Sequence, residues 1–294
     1  MDPVILYSVG ALALIAAGAA IILFFVAKKF KVDEDPRIGE VTELLPGANC
    51  GGCGFPGCSG FATALVKGAD AGDISGLACP PGGNETMTAV GEFLGMTVEE
   101  AAPTTAVVRC NGTREKAPAK LSYEGPSKCA VAHTLFSGEN GCPNGCLGLG
   151  DCVDACDFEA INMDDETGLP VVIPDKCTSC GACVKACPRD IIEIRPRGRK
   201  DRRVWVACMN TEKGPIPMKN CKATCISCGK CFDVCPPKVS AITIENNLAF
   251  IDSSKCIACG KCIVVCPTKA ILATFEPPKP KAKPEEKETV EVAK

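Results

Sequence analysis

Apolar positions fall into three patterns along this chain. Val4 to Ala27 is a run of 24 residues without a charge, longer than the ~20 apolar residues a bilayer-spanning helix needs. Between Gly60 and Gly68 the spacing predicts a short helix with Phe61 and Leu65 on one face. Further on, the apolar segments shrink to strand length. Ala160 to Met163 precedes Pro170 to Ile173, and Ala241 to Ile244 precedes Leu248 to Ile251, which predicts two β-hairpins. From Glu276 onward the chain is proline, lysine and glutamate of balanced charge, a composition that predicts disorder.

Charge orients the first segment. Asp2 precedes it and Lys28, Lys29 and Lys31 follow, which places the C-terminal side in the cytoplasm of a cell membrane by the positive-inside rule. A cleaved signal peptide carries its positive charge before the apolar run, not after it. Gly10, Ala13, Ala17 and Ala20 lie close to one face, a spacing that lets a partner helix approach, although alanine is also common in plain anchors. Lys28 to Glu43 reads as a charged linker. The net charge of −3 argues against a nucleic-acid-binding surface over the whole chain.

Aromatic residues make up only 5% of the chain, with one tryptophan, Trp205, and one histidine, His133, while cysteine reaches 24. Three runs follow C-x2-C-x2-C-x3-C-P: Cys177, Cys180, Cys183, Cys187; Cys225, Cys228, Cys231, Cys235; and Cys256, Cys259, Cys262, Cys266. This spacing binds [4Fe–4S] clusters, with the fourth cysteine of each run ligating the neighbouring cluster. Zinc uses paired C-x2-C knuckles around one ion, and disulfide frameworks belong to short exported chains. Free thiolates in this number also imply a reducing compartment.

The cysteines repeat. Shifting Cys129, Cys142, Cys146, Cys152, Cys156, Cys177, Cys180, Cys183 and Cys187 by 79 positions lands on cysteine every time, so the C-terminal two-thirds holds two copies of a dicluster unit. Crossed ligation gives the second copy one site of Cys225, Cys228, Cys231 and Cys266, and another of Cys235, Cys256, Cys259 and Cys262. The first copy gains Cys156 with Cys177, Cys180 and Cys183. Its other site keeps Cys146, Cys152 and Cys187, but Leu149 stands where the fourth cysteine belongs. Cys142 is the nearest replacement, with a [3Fe–4S] cluster as the alternative, and Asp157 replaces the usual proline nearby. Upstream, Cys50, Cys53, Cys58 and Cys79 form a self-contained site. Cys110, Cys129, Cys208 and Cys221 remain, either a further cluster or free thiols. The expectation is five [4Fe–4S] clusters, or six.

Nothing points to hydride chemistry: Leu147-Gly148-Leu149-Gly150-Asp151 lacks the preceding strand and the full glycine motif, so no flavin or NAD site is expected on this chain. His133 reads as a surface or second-layer residue. Arg195, Arg197, Arg199, Lys200, Arg202 and Arg203 either steer an acidic electron donor or form a solvated linker. The expected fold is α+β: an anchor over 1–28, a four-cysteine domain over 29–100, ferredoxin-like units over 101–195 and 196–275, and a disordered tail over 276–294.

The anchor, the run Leu45-Pro46-Gly47-Ala48-Asn49-Cys50-Gly51-Gly52-Cys53-Gly54, Cys79-Pro80 and the ferredoxin units together resemble the B subunits of Rnf complexes. The resemblance implies a subunit of a membrane ferredoxin:NAD+ oxidoreductase that exports Na+ or H+. It implies electrons taken from soluble reduced ferredoxin and passed to membrane and NAD- or flavin-binding partners. B subunits of SoxR-reducing complexes are similar, and a freestanding membrane-tethered polyferredoxin is the other alternative.

Overall fold

The computed structural model describes residues 3–29, 35–135, 138–213 and 215–278. Lys31 and the predicted disorder of 279–294 lie outside them. Helix α1 (Pro3–Lys29) closes on Lys28 and Lys29. Its segment Val9–Val26 has a mean hydropathy of 2.7 and none of it is buried against the rest of the chain, as suits a helix whose apolar surface meets lipid.

The small cysteine module is built on α2 (Pro36–Leu44), α3 (Gly57–Ala71) and α4 (Gly83–Leu94). The charged linker expected up to Glu43 therefore ends in a helix. Asp35 caps it, accepting the Arg37 N–H at 2.9 Å, and Pro36 occupies the first turn, where no donor is lost. Its charges face outward while Val41 and Leu45 bury against Phe61, Leu65 and Val90. Charge density thus hid an amphipathic stripe. Phe61 and Leu65 of α3 are buried as their spacing predicts.

The first ferredoxin-like unit pairs β1 (Thr104–Val108) with β4 (Ile192–Pro196), and β2 (Ile161–Met163) with β3 (Pro170–Val172). Short helices α5 (Cys129–Leu135), α6 (Asp151–Asp154) and α7 (Ala182–Ala186) lie between; His133 on α5 is exposed. The second unit pairs β5 (Val204–Val206) with β8 (Ile271–Ala273), and β6 (Ile242–Glu245) with β7 (Leu248–Ile251). Its helices are α8 (Ile216–Asn220), α9 (Lys230–Asp233) and α10 (Lys261–Val265). All four pairs are antiparallel and two-stranded. The two hairpins lie where the apolar segments predict them. Each unit's buried core mixes short aliphatic side chains with cysteine, which explains how so few aromatics suffice.

The units are joined by buried cations. Arg195 is 5% exposed. It pairs with Glu193 and donates to the Ile251 carbonyl at 2.9 Å and Ser253 Oγ at 3.3 Å. Its guanidinium lies 5.0 Å from the Phe250 ring centroid. Arg197 pairs with Asp175 and Asp201, and Arg202 stacks 3.9 Å over Phe275. Arg195, Arg197 and Arg203 of the basic stretch are therefore engaged within the chain, whereas Arg199 and Lys200 are exposed. Trp205 Nε1 adds a bond to the Val108 carbonyl at 3.0 Å. Replacing Arg195 by alanine removes a buried cation and leaves Glu193 and the Ile251 carbonyl without it. The expected cost is about 3 kcal/mol, or roughly 6–12 °C in a thermal melt; an unchanged melt would refute the clamp.

Candidate metal centres

The cysteine loops share one winding. In the complete runs, Ser179, Ser227 and Ala258 have φ of 60°, 52° and 52°, and Gly181, Gly229 and Gly260 have φ near 77°. This left-handed geometry, costly for a side chain but open to glycine, turns successive cysteines toward a common centre. Gly148 and Gly150, with φ of 74° and 87°, repeat it around Leu149. The first unit's irregular loop therefore keeps the backbone of a cluster-binding loop and lacks only one thiol.

Four groups of four cysteines each line a small cavity of their own. They are Cys50, Cys53, Cys58, Cys79; Cys156, Cys177, Cys180, Cys183; Cys225, Cys228, Cys231, Cys266; and Cys129, Cys146, Cys152, Cys187. Cys256 lies in the fields of Cys259 and Cys235, and Cys262 in those of Cys256 and Cys259, which gathers a fifth group.

The fourth cavity differs from the spacing-based expectation. Cys129 lines it beside Cys146, Cys152 and Cys187, and Cys142 does not. Asp151 is the cause: its carboxylate accepts the backbone N–H groups of Cys129 at 2.8 Å and Ala130 at 3.0 Å. This caps α5 and swings Cys129 into the gap left by Leu149. Arg189 donates to the Cys142 and Gly145 carbonyls at 2.9 and 3.0 Å, holding the Cys142 turn to one side.

Cys142 gathers instead with Cys110, Cys208 and Cys221. A methyl on Gly112 would stand 3.5 Å from both the Cys110 and Cys221 Sγ atoms. Burial first, then the fields of Cys110, Cys142 and Cys208, push the Cys221 thiol up to about 11. Two of these cysteines come from each unit. Cys110 follows β1 and Cys208 follows β5 by the same two residues. The residues just before them make matching bonds, Arg109 N–H to Ile191 O and Ala207 N–H to Ala270 O, each at 2.7 Å. Cys142 and Cys221 are related by the 79-residue repeat. The group thus draws two matching positions from each unit.

The donor sets fit an iron–sulfur cubane better than a single ion. No disulfide joins any of the 24 cysteines. Among the described residues no three His, Cys, Asp or Glu side chains converge tightly enough to hold one metal ion, as zinc requires. Backbone N–H groups reach Sγ of Cys266 and Cys208 at 3.3 Å and of Cys110 and Cys156 at 3.4 Å. Such bonds stabilise negative charge on sulfur and tune cluster potential. Burial pushes the Cys152 and Cys262 thiols up to about 12 and Cys183 and Cys231 up to about 11, with neighbouring thiols adding to the rise. Loading these sites therefore releases protons. At Cys177 burial is outweighed by donors from Ala106, Thr105 and Ser179, which hold it below its ordinary value.

Family models match iron–sulfur domains over several stretches of the chain. An Fe-S cluster family matches residues 45–73, and 4Fe-4S dicluster domains match 217–267 and 142–191. A further dicluster match over 176–239 straddles the units, because runs from both fit the same spacing. The chain is 45% identical over 251 residues to the B subunit of the Na(+)-translocating ferredoxin:NAD(+) oxidoreductase complex of Acetobacterium woodii, covering 85% of this chain and 72% of that one. It is 41% identical to the B subunit of the ion-translocating oxidoreductase complex of Methanosarcina acetivorans, covering 87% and 93%. It is 39% identical to the B subunit of the proton-translocating ferredoxin:NAD(+) oxidoreductase complex of Clostridium ljungdahlii, covering 80% and 79%. With these relatives, the dicluster domains and the apolar N-terminal helix, the chain belongs to the family of electron-transferring iron–sulfur B subunits of ion-translocating oxidoreductase complexes.

Proposed function

We propose that this chain takes electrons from reduced ferredoxin and delivers them to membrane partners that export Na+ or H+, and that its cysteines hold six [4Fe–4S] clusters. A bound [4Fe–4S] cluster supplies reversible one-electron storage. The protein's share is to hold such sites in sequence, and the observation that carries the reading is their contiguity. Cys262 lies in the field of Cys231. Cys225 N–H donates to Cys208 Sγ at 3.3 Å, and Cys146 N–H to Cys110 Sγ at 3.4 Å. Cys152 and Cys183 interact, and Gly52 abuts Cys180. A line of six cysteine groups runs from the second unit, through the group shared by both units, to the small module that follows α1.

Under this reading Cys129 with Cys146, Cys152 and Cys187 forms one ligand set, and Cys110 with Cys142, Cys208 and Cys221 another. Lys28 and Lys29 at the end of α1 support a cytoplasmic position for all of them. The energetics suffice: a two-electron drop of ~100 mV releases roughly 4.6 kcal/mol, against about 2.3 kcal/mol to move a monovalent ion over ~100 mV. Val4 to Ala27 contains no Asp, Glu, Lys, Arg or His, so the ion path belongs to partner subunits.

The test uses the full chain, purified anaerobically from membranes. Iron and sulfide should each come to about 24 per chain, at four per cluster. Reduced ferredoxin should bleach its brown absorbance. A colourless, iron-free chain after reconstitution, or one that reduced ferredoxin leaves oxidised, would sink the proposal.

A further inference from the structure

The two ferredoxin-like units are built alike, yet their outer cysteine loops meet different surroundings. In the first unit the small module sits on the loop. A Cβ on Gly52 would stand 2.9 Å from the Cys180 carbonyl oxygen and 3.0 Å from its Cα and Cβ. The second unit's matching loop, 79 residues on, runs from Cys256 to Cys262. There Ile257, at the position of half-buried Thr178, is 64% exposed. An apolar side chain stands open two residues from Cys259, the counterpart of the Cys180 contact.

The cysteine-bearing segments beside Ile257 carry charge of one sign. Segments 235–241 and 253–266 carry Lys238, Lys255 and Lys261, all exposed, and no carboxylate. Two acids border the patch. Asp252 lies 3.6 Å from Lys255, and Glu276 is on the segment whose Phe275 and Pro278 pack against Gly260. An exposed apolar residue on a loop whose own charged side chains are lysines suits an acidic partner: the apolar centre is desolvated, while the charges steer and orient. The loop also holds three cysteines of the outermost group in the line, the end farthest from the small module.

We infer that an acidic, cluster-bearing ferredoxin docks on the Cys256–Cys262 loop, over Ile257 and against Lys238, Lys255 and Lys261. The first unit would then receive the chain's own module by the surface with which the second receives the donor. This rests on the ferredoxin reading above and adds where contact is made. The competing surface is the loop around Cys228, the only exposed cysteine, with Lys230 and Phe232 beside it.

The experiment titrates the cluster-loaded full-length chain, in detergent, with an acidic two-cluster ferredoxin at increasing salt, reading Kd and the KM for reduced ferredoxin. Lys255→Glu and Lys261→Glu should each weaken Kd roughly tenfold at low salt, a gap that closes as salt screens the charges. Ile257→Asp should weaken binding at all salt concentrations. Iron per chain reports whether the clusters survive. If it falls in these variants, Lys238→Glu, three residues from the nearest cysteine, carries the same test. Lys67→Glu on α3 makes the same charge change elsewhere and should bind as the unaltered chain does. If the unaltered chain binds no ferredoxin, the functional reading falls and this inference with it. If it binds and the loop variants match it, if Lys67→Glu weakens it equally, or if only Lys230→Glu weakens it, the docking inference alone is overturned.

Discussion

Replacing Cys142 or Cys208 by alanine should each remove about four irons per chain, and the double variant should lose no more than either alone. Cys142 and Cys208 belong to different units, but the fields of both reach Cys110 and Cys221, so the second substitution finds the site already lost. Cys129→Ala combined with Cys208→Ala should remove about eight, because Cys129 lines a different cavity. A grouping by spacing alone predicts the opposite pattern: Cys142 and Cys208 would then sit in separate sites and their losses would add. Iron analysis and low-temperature spin resonance distinguish the two. The Cys208→Ala chain should also fail to pass electrons from the second unit to the small module. The straddling group is the only link between Cys225 and Cys146 built on bonds to sulfur among the described residues.

The site was legible wherever local spacing alone defines it. Cys177, Cys180 and Cys183 belong together because seven residues of loop with a left-handed glycine can wind only a small way, and the same holds in the other complete runs. Spacing and structure part where a cysteine joins a group from outside its run. The 79-residue period equates Cys129 with Cys208, yet in three dimensions the counterpart of Cys208 is Cys110, 98 positions earlier. The connection from β1 to Cys142 is longer than its partner in the second unit by 19 residues. That extra length carries Cys129 away on α5. A signal was present: Val107-Val108-Arg109-Cys110 and Trp205-Val206-Ala207-Cys208 share an apolar strand, one spacer and a cysteine.

The fold shows the same division. The hairpins β2–β3 and β6–β7 close over a few residues and announce themselves by adjacent apolar segments. The outer pairs β1–β4 and β5–β8 join strands with whole cluster loops between them, so no local pattern couples them. Arg195 and Arg203 read as surface charge until Glu193, the Ile251 carbonyl and Asp201 are brought to them by folding.

Gly52→Val should cut electron delivery from the first unit to the small module while leaving every cluster in place. Gly52 does not have a left-handed φ, so its conformation would admit a side chain; space forbids one. The atoms a Cβ would strike are the carbonyl oxygen, Cα and Cβ of Cys180, at 2.9–3.0 Å. Cys180 is held by its neighbours in the loop and cannot swing aside as a flexible side-chain tip would. The module must therefore move as a body, and the cleft beside the contact shows where the slack lies, since Cys79 and Cys177 line its two walls. Overpacking of this kind costs about 1–3 kcal/mol, enough to break a docking contact but not the module's own core of Phe61, Leu65 and Val90. Iron content should stay at the unaltered value, while spin–spin broadening between the two neighbouring clusters weakens and electron flux to the membrane partners falls. Gly52→Ala should show the same changes in smaller degree. A valine variant with full flux and unaltered broadening would mean that electrons leave the first unit by another route, and that the Gly52–Cys180 contact is packing alone.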